Sequence, residues 1–472
     1  MTLQSKIVFR GDDGIEISGS LSRLTRHGAV FEIPDPHALT GLRVSEVLPE
    51  FKVIQGDRTL YSGRAVLRSQ INSGSVLICE STLDEVSWTD LDFASVEARP
   101  GKWGAEYNAF LDEWQKLYRI DREYKLVIAD MHSFFSGLRF WLARVELGIS
   151  SAPEIDRAAR GREVADQLAE KIIPSMNELF DKFEDVAIRL EPNRRATHQN
   201  YMRQQLHSLV LAAPFAHRTF TKPLGYAGDY EMVNMILRNA PEGSTLFGKL
   251  LHAWFVRQQP AEAHRNRIDY LITKITEMTL KASAAGRTAK IFNMACGPAS
   301  EVQRFISESA LRSRTEFTLL DFNEETLKYT RQCIATSAVG VGPMPPVQYI
   351  KKSVHHLLKE SVKKSSTPGE ARYDLVYCAG LFDYLSDEVC SRLMGLMYDW
   401  VRPGGLLIAT NVESNNPRRH GMDHLLDWPL IYRTAADMAK ISPKTAHRDD
   451  VRSYSDDTGV NVFLEVTKPT HG

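Results

Sequence analysis

The chain has 472 residues, 43% of them hydrophobic and 25% charged, a globular composition long enough for two or three domains. Its 58 basic and 59 acidic residues give a formal net charge of −1, which argues against wholesale nucleic-acid binding while leaving room for a local basic patch. No run of about 18 apolar residues occurs, so no transmembrane helix and no integral membrane protein is expected.

The first residues, MTLQSKIVFRGDDG, contain no apolar signal core. Cys79, Cys296, Cys333, Cys378 and Cys390 form no CxxC pair and have no histidine at zinc spacing. They read as reduced thiols in a cytosolic protein, and no metal site is expected.

Residues 5 to about 92 read as all-β. The short apolar runs KIVF, GIEISGSL, GAVFEI, RTLYSGRAVL and SGSVLICES alternate with turns marked by Gly28, Gly63 and Gly74. A small barrel or sandwich is predicted there. Residues 104 to about 280 read as helical. Phe110, Trp114, Leu117, Tyr118 and Leu126 recur at helical spacing, as do Ile128, Met131, Phe135, Leu138, Trp141, Leu142 and Val145. Core packing is the ordinary reading of such a stripe. The long helices could also form a dimer seam, so a homodimer is considered. GISSAPEID breaks the pattern, and further helices are predicted over 153–190 and 196–212. The breaker-rich TKPLGYAGDYEM then interrupts it again.

From Ala289 strands and helices alternate: AKIFNMA, EFTLLDF, VQYIKKSV, YDLVYCAG and GGLLIATNV are strands, with helices such as EVQRFISESAL and NEETLKYTRQCI between them. Such alternation implies a parallel sheet covered by helices. Within it, IFNMACGPASE ends a strand in a turn of small residues and enters a helix. Ala295, Gly297 and Ala299 keep that turn free of bulk, so backbone can approach a ligand and helix amides can face it. Asp321 ends the next strand, 24 residues after Gly297, where an acid suits the hydroxyls of a ribose.

These features resemble class I S-adenosylmethionine-dependent methyltransferases, whose first motif reads roughly acidic-x-G-x-G-x-G. Asn293 stands at the acidic position, and Ala295 and Ala299 replace the outer glycines. The resemblance implies S-adenosyl-L-methionine as cofactor. Asn293 would meet its amino group through the amide oxygen, uncharged. Asp321 and Phe322 would flank the nucleoside. Ser353 and Val354 stand where the family has an acid and an apolar residue that meet adenine. Tyr377, Cys378, Ala379 and Gly380 fall beside the methyl donor, and RPGG at Arg402–Gly405 forms the turn before the fifth strand. A dinucleotide site would prefer glycine at all three turn positions. The Asp/Asn-Pro-Pro-aromatic motif of amino methylation is missing after the fourth strand.

Two further segments concentrate functional residue types. TNVESNNPRRHGMDHLLDWPLIYR offers Asn411, Asn416, Arg418, His420, Trp428, Tyr432 and Arg433. KPLGYAGDYEMVNMI offers Lys222, Tyr226, Asp229 and Tyr230 and could close over the donor as a lid. Each has an ordinary alternative: Asp229 as a helix N-cap with Glu231 in the first turn, Arg418 and Arg419 as a solvated pair, Trp428 as core.

KPLGYAGDYEMVNMI, CGPASE, YCAGLFDYLSD and NPRRHGMDHLLDWPLIYR together resemble a bacterial family described as extracellular-factor, or 3-hydroxypalmitic acid methyl ester, biosynthesis proteins, over about residues 105–465. That resemblance implies methylation of a 3-hydroxy fatty acid carboxylate to give a diffusible quorum signal. Tyr226, Tyr230 and Asn416 would then orient the carboxylate, which as an anion at neutral pH needs no base. Methylation of a protein or another metabolite is the alternative activity, and a regulatory donor-binding protein with a degenerate site the non-enzymatic one.

The N-terminal region resembles PilZ domains. SRLTRHGAVFEI is similar to their D-x-S-x-x-G turn, with Thr25 and Gly28 at the last two positions but Arg23 where Asp is usual. Only Arg10 lies near the place of the paired arginines, so cyclic di-GMP is not expected to bind. The expected organisation is a PilZ-like β-barrel over 1–100, a helical region with a substrate lid over 104–285, and an α/β Rossmann-like methyltransferase domain over 286–472.

Overall fold

The computed structural model describes residues 5–10, 16–33, 46–55, 58–72, 77–84, 87–89, 102–118, 120–150, 154–340, 342–363 and 373–470. The expected break at GISSAPEID falls partly on 151–153, outside the described residues.

Six antiparallel strands, β1 (Ser5–Arg10), β2 (Glu16–Thr25), β3 (Gly28–Ile33), β4 (Val47–Gln55), β5 (Arg58–Asn72) and β6 (Leu77–Leu83), close into a barrel in the order β1-β2-β3-β6-β5-β4. Alternate residues point inward, as strand geometry requires, and Phe9, Phe31 and Phe51 meet at its centre with ring centroids 5.5–6.2 Å apart. Gly28 is needed by close approach, because a Cβ there would lie 2.9 Å from the Ser81 carbonyl of β6. Arg23 makes only a loose, exposed ion pair with Glu80.

The helices that follow are α1 (Lys102–Tyr118), α2 (Arg122–Ser150), α3 (Glu154–Ala187), α4 (Arg195–Val210), α5 (Pro214–Thr221), α6 (Tyr230–Arg238), α7 (Leu246–Val256) and α8 (Gln259–Ala284). Ile128, Met131, Phe135 and Leu142 of α2 are buried as the stripe predicts. Phe110, Trp114 and Trp141, read from the same spacing as core, are exposed. Helical periodicity marks a face without saying what covers it.

The remaining elements are β7 (Ala289–Met294), α9 (Ser300–Glu308), β8 (Thr315–Asp321), α10 (Glu324–Ser337), β9 (Val347–Lys351), α11 (Val354–Lys363), β10 (Tyr373–Ala379), α12 (Asp387–Trp400), β11 (Val401–Val412), α13 (Arg419–Leu425), α14 (Ala435–Lys440), β12 (Val451–Ser455) and β13 (Asn461–Thr467). The seven strands form one sheet in the order β12-β13-β11-β10-β7-β8-β9. All five predicted strands are present and parallel. The antiparallel hairpin β12–β13 was not foreseen. RPGG lies within β11 as an irregularity rather than before it, with the register shifting opposite Tyr373 to Leu375. One face of the sheet is sealed by Leu271, Ile275, Val302, Phe305, Leu327 and Ile334, and the other by Leu357, Leu393, Met394, Met397 and Met438. A sheet buried on both faces fits the continuous apolar runs of its strands.

The chain divides into two compact units: Met1–His217 with Pro241–Trp254 and His424–Leu426, and Arg218–Ala240 with Phe255–Asp423 and Asp427–Gly472. The second unit holds the sheet and also KPLGYAGDYEMVNMI. Among the described residues no helix is long and apolar enough to cross a membrane.

Candidate functional site

Chain order in the sheet reverses between β7 and β10: β8 and β9 extend one way from β7, and β10 and β11 the other. The two connections leave a crevice outside the carboxyl ends of these strands, where open α/β sheets bind ligands. Of the residues singled out by sequence, Asn293, Ala295, Gly297, Ala299, Asp321, Phe322, Ser353, Val354, Tyr377 and Ala379 sit at or next to the carboxyl ends of β7, β8, β9 and β10.

The turn after β7 explains the departures from a glycine motif. Ala295, Gly297 and Ala299 have φ of 56°, 51° and 50°, so all three are left-handed and two of them are alanines. The Cys296 amide donates to the Leu320 carbonyl (3.0 Å). The Gly297 amide donates to Asp321 Oδ2 (3.1 Å), while Asp321 Oδ1 accepts from the Asn323 amide (2.9 Å). Asp321 is buried, which raises its pKa against the lowering effect of these amides. A Cβ on Gly297 would meet nothing within 4 Å, so the space in front of this backbone is open. Phe322 is half exposed beside it, with Tyr226 against its ring at 5.4 Å. Ser353 immediately precedes α11, its hydroxyl accepting from the His356 amide (3.3 Å), and the neighbouring Lys352 amide donates to the Asp321 carbonyl (3.0 Å).

Behind the turn lies a group the sequence reading missed. Glu301, in the first turn of α9, is buried, and its Oε1 accepts from Asn293 Nδ2 (2.8 Å) and from the Tyr377 hydroxyl (2.7 Å). Asn293 and Tyr377 are cross-strand neighbours, which places both donors on one carboxylate. Burial raises the Glu301 pKa, and the Tyr377 bond and nearby Arg267 oppose the rise. The only trace in the sequence is an acid three residues after the glycine turn's proline. Arg267 of α8, also missed, is buried beside Gly380 at the end of β10. Asp383, just beyond, is buried with its pKa pushed up to about 6, and accepts from the Val412 amide (2.7 Å).

The two acceptor-side segments do come together. Lys222 Nζ pairs with Asp427 (2.8 Å), and a Cβ on Gly228 would lie 2.8 Å from the Tyr384 hydroxyl and 3.5 Å from Trp428. Trp428 Nε1 donates to that same hydroxyl (2.9 Å). Burial pushes the Tyr226 hydroxyl up to about 12 against the lowering effect of the Thr326 hydroxyl beside it, so it is neutral at physiological pH. Other residues have structural partners. Asp229 caps α6, accepting from the Met232 amide (2.9 Å), and is held by Arg218 Nε at 2.8 and 2.9 Å. Tyr230 donates to Glu325 (2.9 Å) and stacks on Tyr329. Asn416 accepts from the Arg418 amide (3.0 Å), and its Nδ2 faces the Met422 sulfur (3.4 Å). Arg418, one of the pair read as solvated, is buried with Nε on Gln258 (2.9 Å). Arg433 is buried and locks the loop after β10 through Asp387, Asn411 and the Phe382 and Leu385 carbonyls.

No protein-family model and no curated protein matches the chain. Among solved structures, the chain is similar to a possible exported protein from Bordetella parapertussis at 17% identity, covering 54% of this chain and 86% of that one with a TM-score of 0.39. It is also similar to magnesium protoporphyrin IX methyltransferase from Synechocystis PCC 6803 with bound SAM, at 14% identity over 44% and 82% of the two chains (TM-score 0.29). An O-methyltransferase family protein from Burkholderia thailandensis is 12% identical over 59% and 73% (TM-score 0.33). These are loose likenesses, and the geometry of the site is what bears on function.

Proposed function

We propose that the chain is an S-adenosyl-L-methionine-dependent methyltransferase with its donor across the carboxyl ends of β7, β8 and β10. The observation that carries this reading is the Gly297–Asp321 contact: an open glycine backbone at the sheet's reversal point, braced by a buried acid at the end of the adjoining strand. The residues present fit such a group. Asp321 would accept from ribose hydroxyls, Phe322, Ser353 and Val354 would border the base, and Ala295, Gly297 and Ala299 would let the backbone approach. The donor, when bound, supplies an electrophilic methyl on a sulfonium. The protein's task is then to hold an acceptor atom in line and exclude water, not to carry a covalent intermediate.

For the acceptor we propose a fatty carboxylate, taken from the family resemblance and from the surroundings of Tyr226. Tyr226 orients it with a neutral hydroxyl, and Trp428 and Tyr384 wall the same space. With Tyr230 bonded to Glu325 and Asn416 to its own turn, Tyr226 is the principal orienting group. Purified protein is incubated with methyl-labelled donor and a panel of 3-hydroxy acids, hydroxyl lipids, amines and protein. Alkali-labile label released as methanol marks an ester. Label that survives alkali rules out the carboxylate acceptor and leaves the methyltransferase standing. Tyr226→Phe lowers turnover by about one to two orders of magnitude through lost orientation.

A further inference from the structure

Arg267 is an unusual arginine. It is 7% exposed, and its Nε has no hydrogen-bond partner. Nη2 donates to His264 Nδ1 (2.9 Å), a ring kept neutral because burial and Arg267 itself hold its pKa well below the ordinary value. Asp383 and Glu301 both attract the guanidinium, yet Arg267 forms no ion pair with either among the described residues. Arginine does not shed its proton in a protein, so this is a buried cation with no touching counter-ion. Such a group is costly unless something completes it.

Its position says what would. Gly380, with φ 98°, ends β10, and a Cβ there would lie 3.5 Å from Nη1 and 3.6 Å from Nη2. The fork therefore faces the carboxyl end of β10, opposite a residue with no side chain. Glu301 adds a buried negative group in the same neighbourhood, held by Asn293 and Tyr377. Asp383 also feels the buried Arg433, which leaves Glu301 as the acid whose nearby cation is Arg267. A ligand with a carboxylate and an ammonium would give Arg267 and Glu301 one opposite charge each.

We propose that Arg267 anchors a carboxylate, that of the donor's amino-acid tail, and that Glu301 receives the tail's ammonium. The proposal rests on the methyltransferase reading above. It also accounts for Asn293: the charge missing from the strand end is supplied from the first turn of α9, and Asn293 orients that carboxylate instead of replacing it. The acceptor's carboxylate is the other source of the same chemistry. Arg267 is a poorer fit to it, since a charged fork would quench the nucleophile.

The test is calorimetry on the full chain with two nucleosides, S-adenosylhomocysteine and 5′-methylthioadenosine, which lacks the amino-acid tail. Arg267→Met is expected to weaken S-adenosylhomocysteine by about 10- to 100-fold, the scale of a lost hydrogen bond to a charged group, and to leave 5′-methylthioadenosine unchanged. Glu301→Gln is expected to show the same selectivity, and Arg267→Lys to recover part of the loss. Equal weakening of both nucleosides, or of neither, overturns the proposal. If neither variant moves S-adenosylhomocysteine while Arg267→Met raises the fatty-acid KM, the arginine belongs to the acceptor. If wild type binds neither nucleoside, the donor site itself is wrong and the proposal falls with it.

Discussion

Replacing Ala295 or Ala299 by glycine should have different effects, although both residues have nearly the same backbone angles. A left-handed conformation costs an L-residue about 1–2 kcal/mol. Glycine relieves that strain but gives back about 0.5–1 kcal/mol through the freedom it has when unfolded. Ala295 is partly exposed, so Ala295→Gly nets a stabilisation of about 0.5–1 kcal/mol. Ala299 is fully buried and packs with Val302, Phe305 and Leu327. Deleting its methyl loses about 0.8 kcal/mol of burial, so Ala299→Gly comes out near zero. Gly297→Ala supplies the third arm: its new methyl meets no atom, so it costs the strain less the unfolded-state gain, about 0.5–1 kcal/mol net. Urea-dependent hydrogen exchange of peptides from β7 and β8 reads this sheet separately from the rest of the chain. If Ala295→Gly is destabilising, or the two glycine variants shift alike, strain is not what distinguishes this turn. Both glycine variants should keep donor affinity, whereas Gly297→Val should abolish it.

Asp321→Ala should weaken donor binding by about 1.5–3 kcal/mol per lost charge-assisted bond, measured by calorimetry, and unchanged affinity would misplace the ribose. Asp383 binds a proton more tightly folded than unfolded, so its contribution to stability falls as pH rises from about 4 through about 6 and stays lost above. Asp383→Asn should flatten that part of a melting-temperature profile from pH 4 to 8, and an unchanged slope would show that Asp383 does not titrate there. The full chain should bind cyclic di-GMP no better than micromolar, since Arg23 stands where an acid is usual and no arginine pair precedes it. A sub-micromolar constant would show that the barrel has another way to hold the phosphates.

What the sequence made legible was local. A strand, a small-residue turn and an acid one strand later are specified within about thirty residues, and Gly297 and Asp321 do touch. The barrel followed from its alternating runs. Features decided by tertiary packing were hidden. Nothing in the sequence of α8 distinguishes Arg267 from its neighbour Arg265, which donates to the Ile236 and Val256 carbonyls instead, and only packing against β10 makes Arg267 buried. Tyr230 and Asn416 carried the right chemical groups, but their donors go to Glu325 and the Met422 sulfur. For Asp229 the ordinary reading as a helix cap describes what the side chain does. Trp141 shows the converse failure, an apolar residue at the right spacing on the wrong side of its helix.

The insertion of β13 between β11 and β12 has a consequence for synthesis. β12 pairs with β13, and β11 reaches β12 only through it. A nascent chain that has made β11 and β12 but not Asn461–Thr467 therefore holds one side of β11 open, a strand of mostly buried residues that other chains could join. The turn between β12 and β13 shortens the exposure. Asp456 Oδ1 accepts from the amides of Val460 (3.1 Å) and Asn461 (3.0 Å), and Gly459 takes φ 70°, so the hairpin is specified by its own turn. Hairpins form in about 1–10 μs, while a ribosome needs roughly 0.05–0.2 s for each residue. Hairpin formation is thus fast beside synthesis, and the open edge of β11 lasts until β13 is delivered.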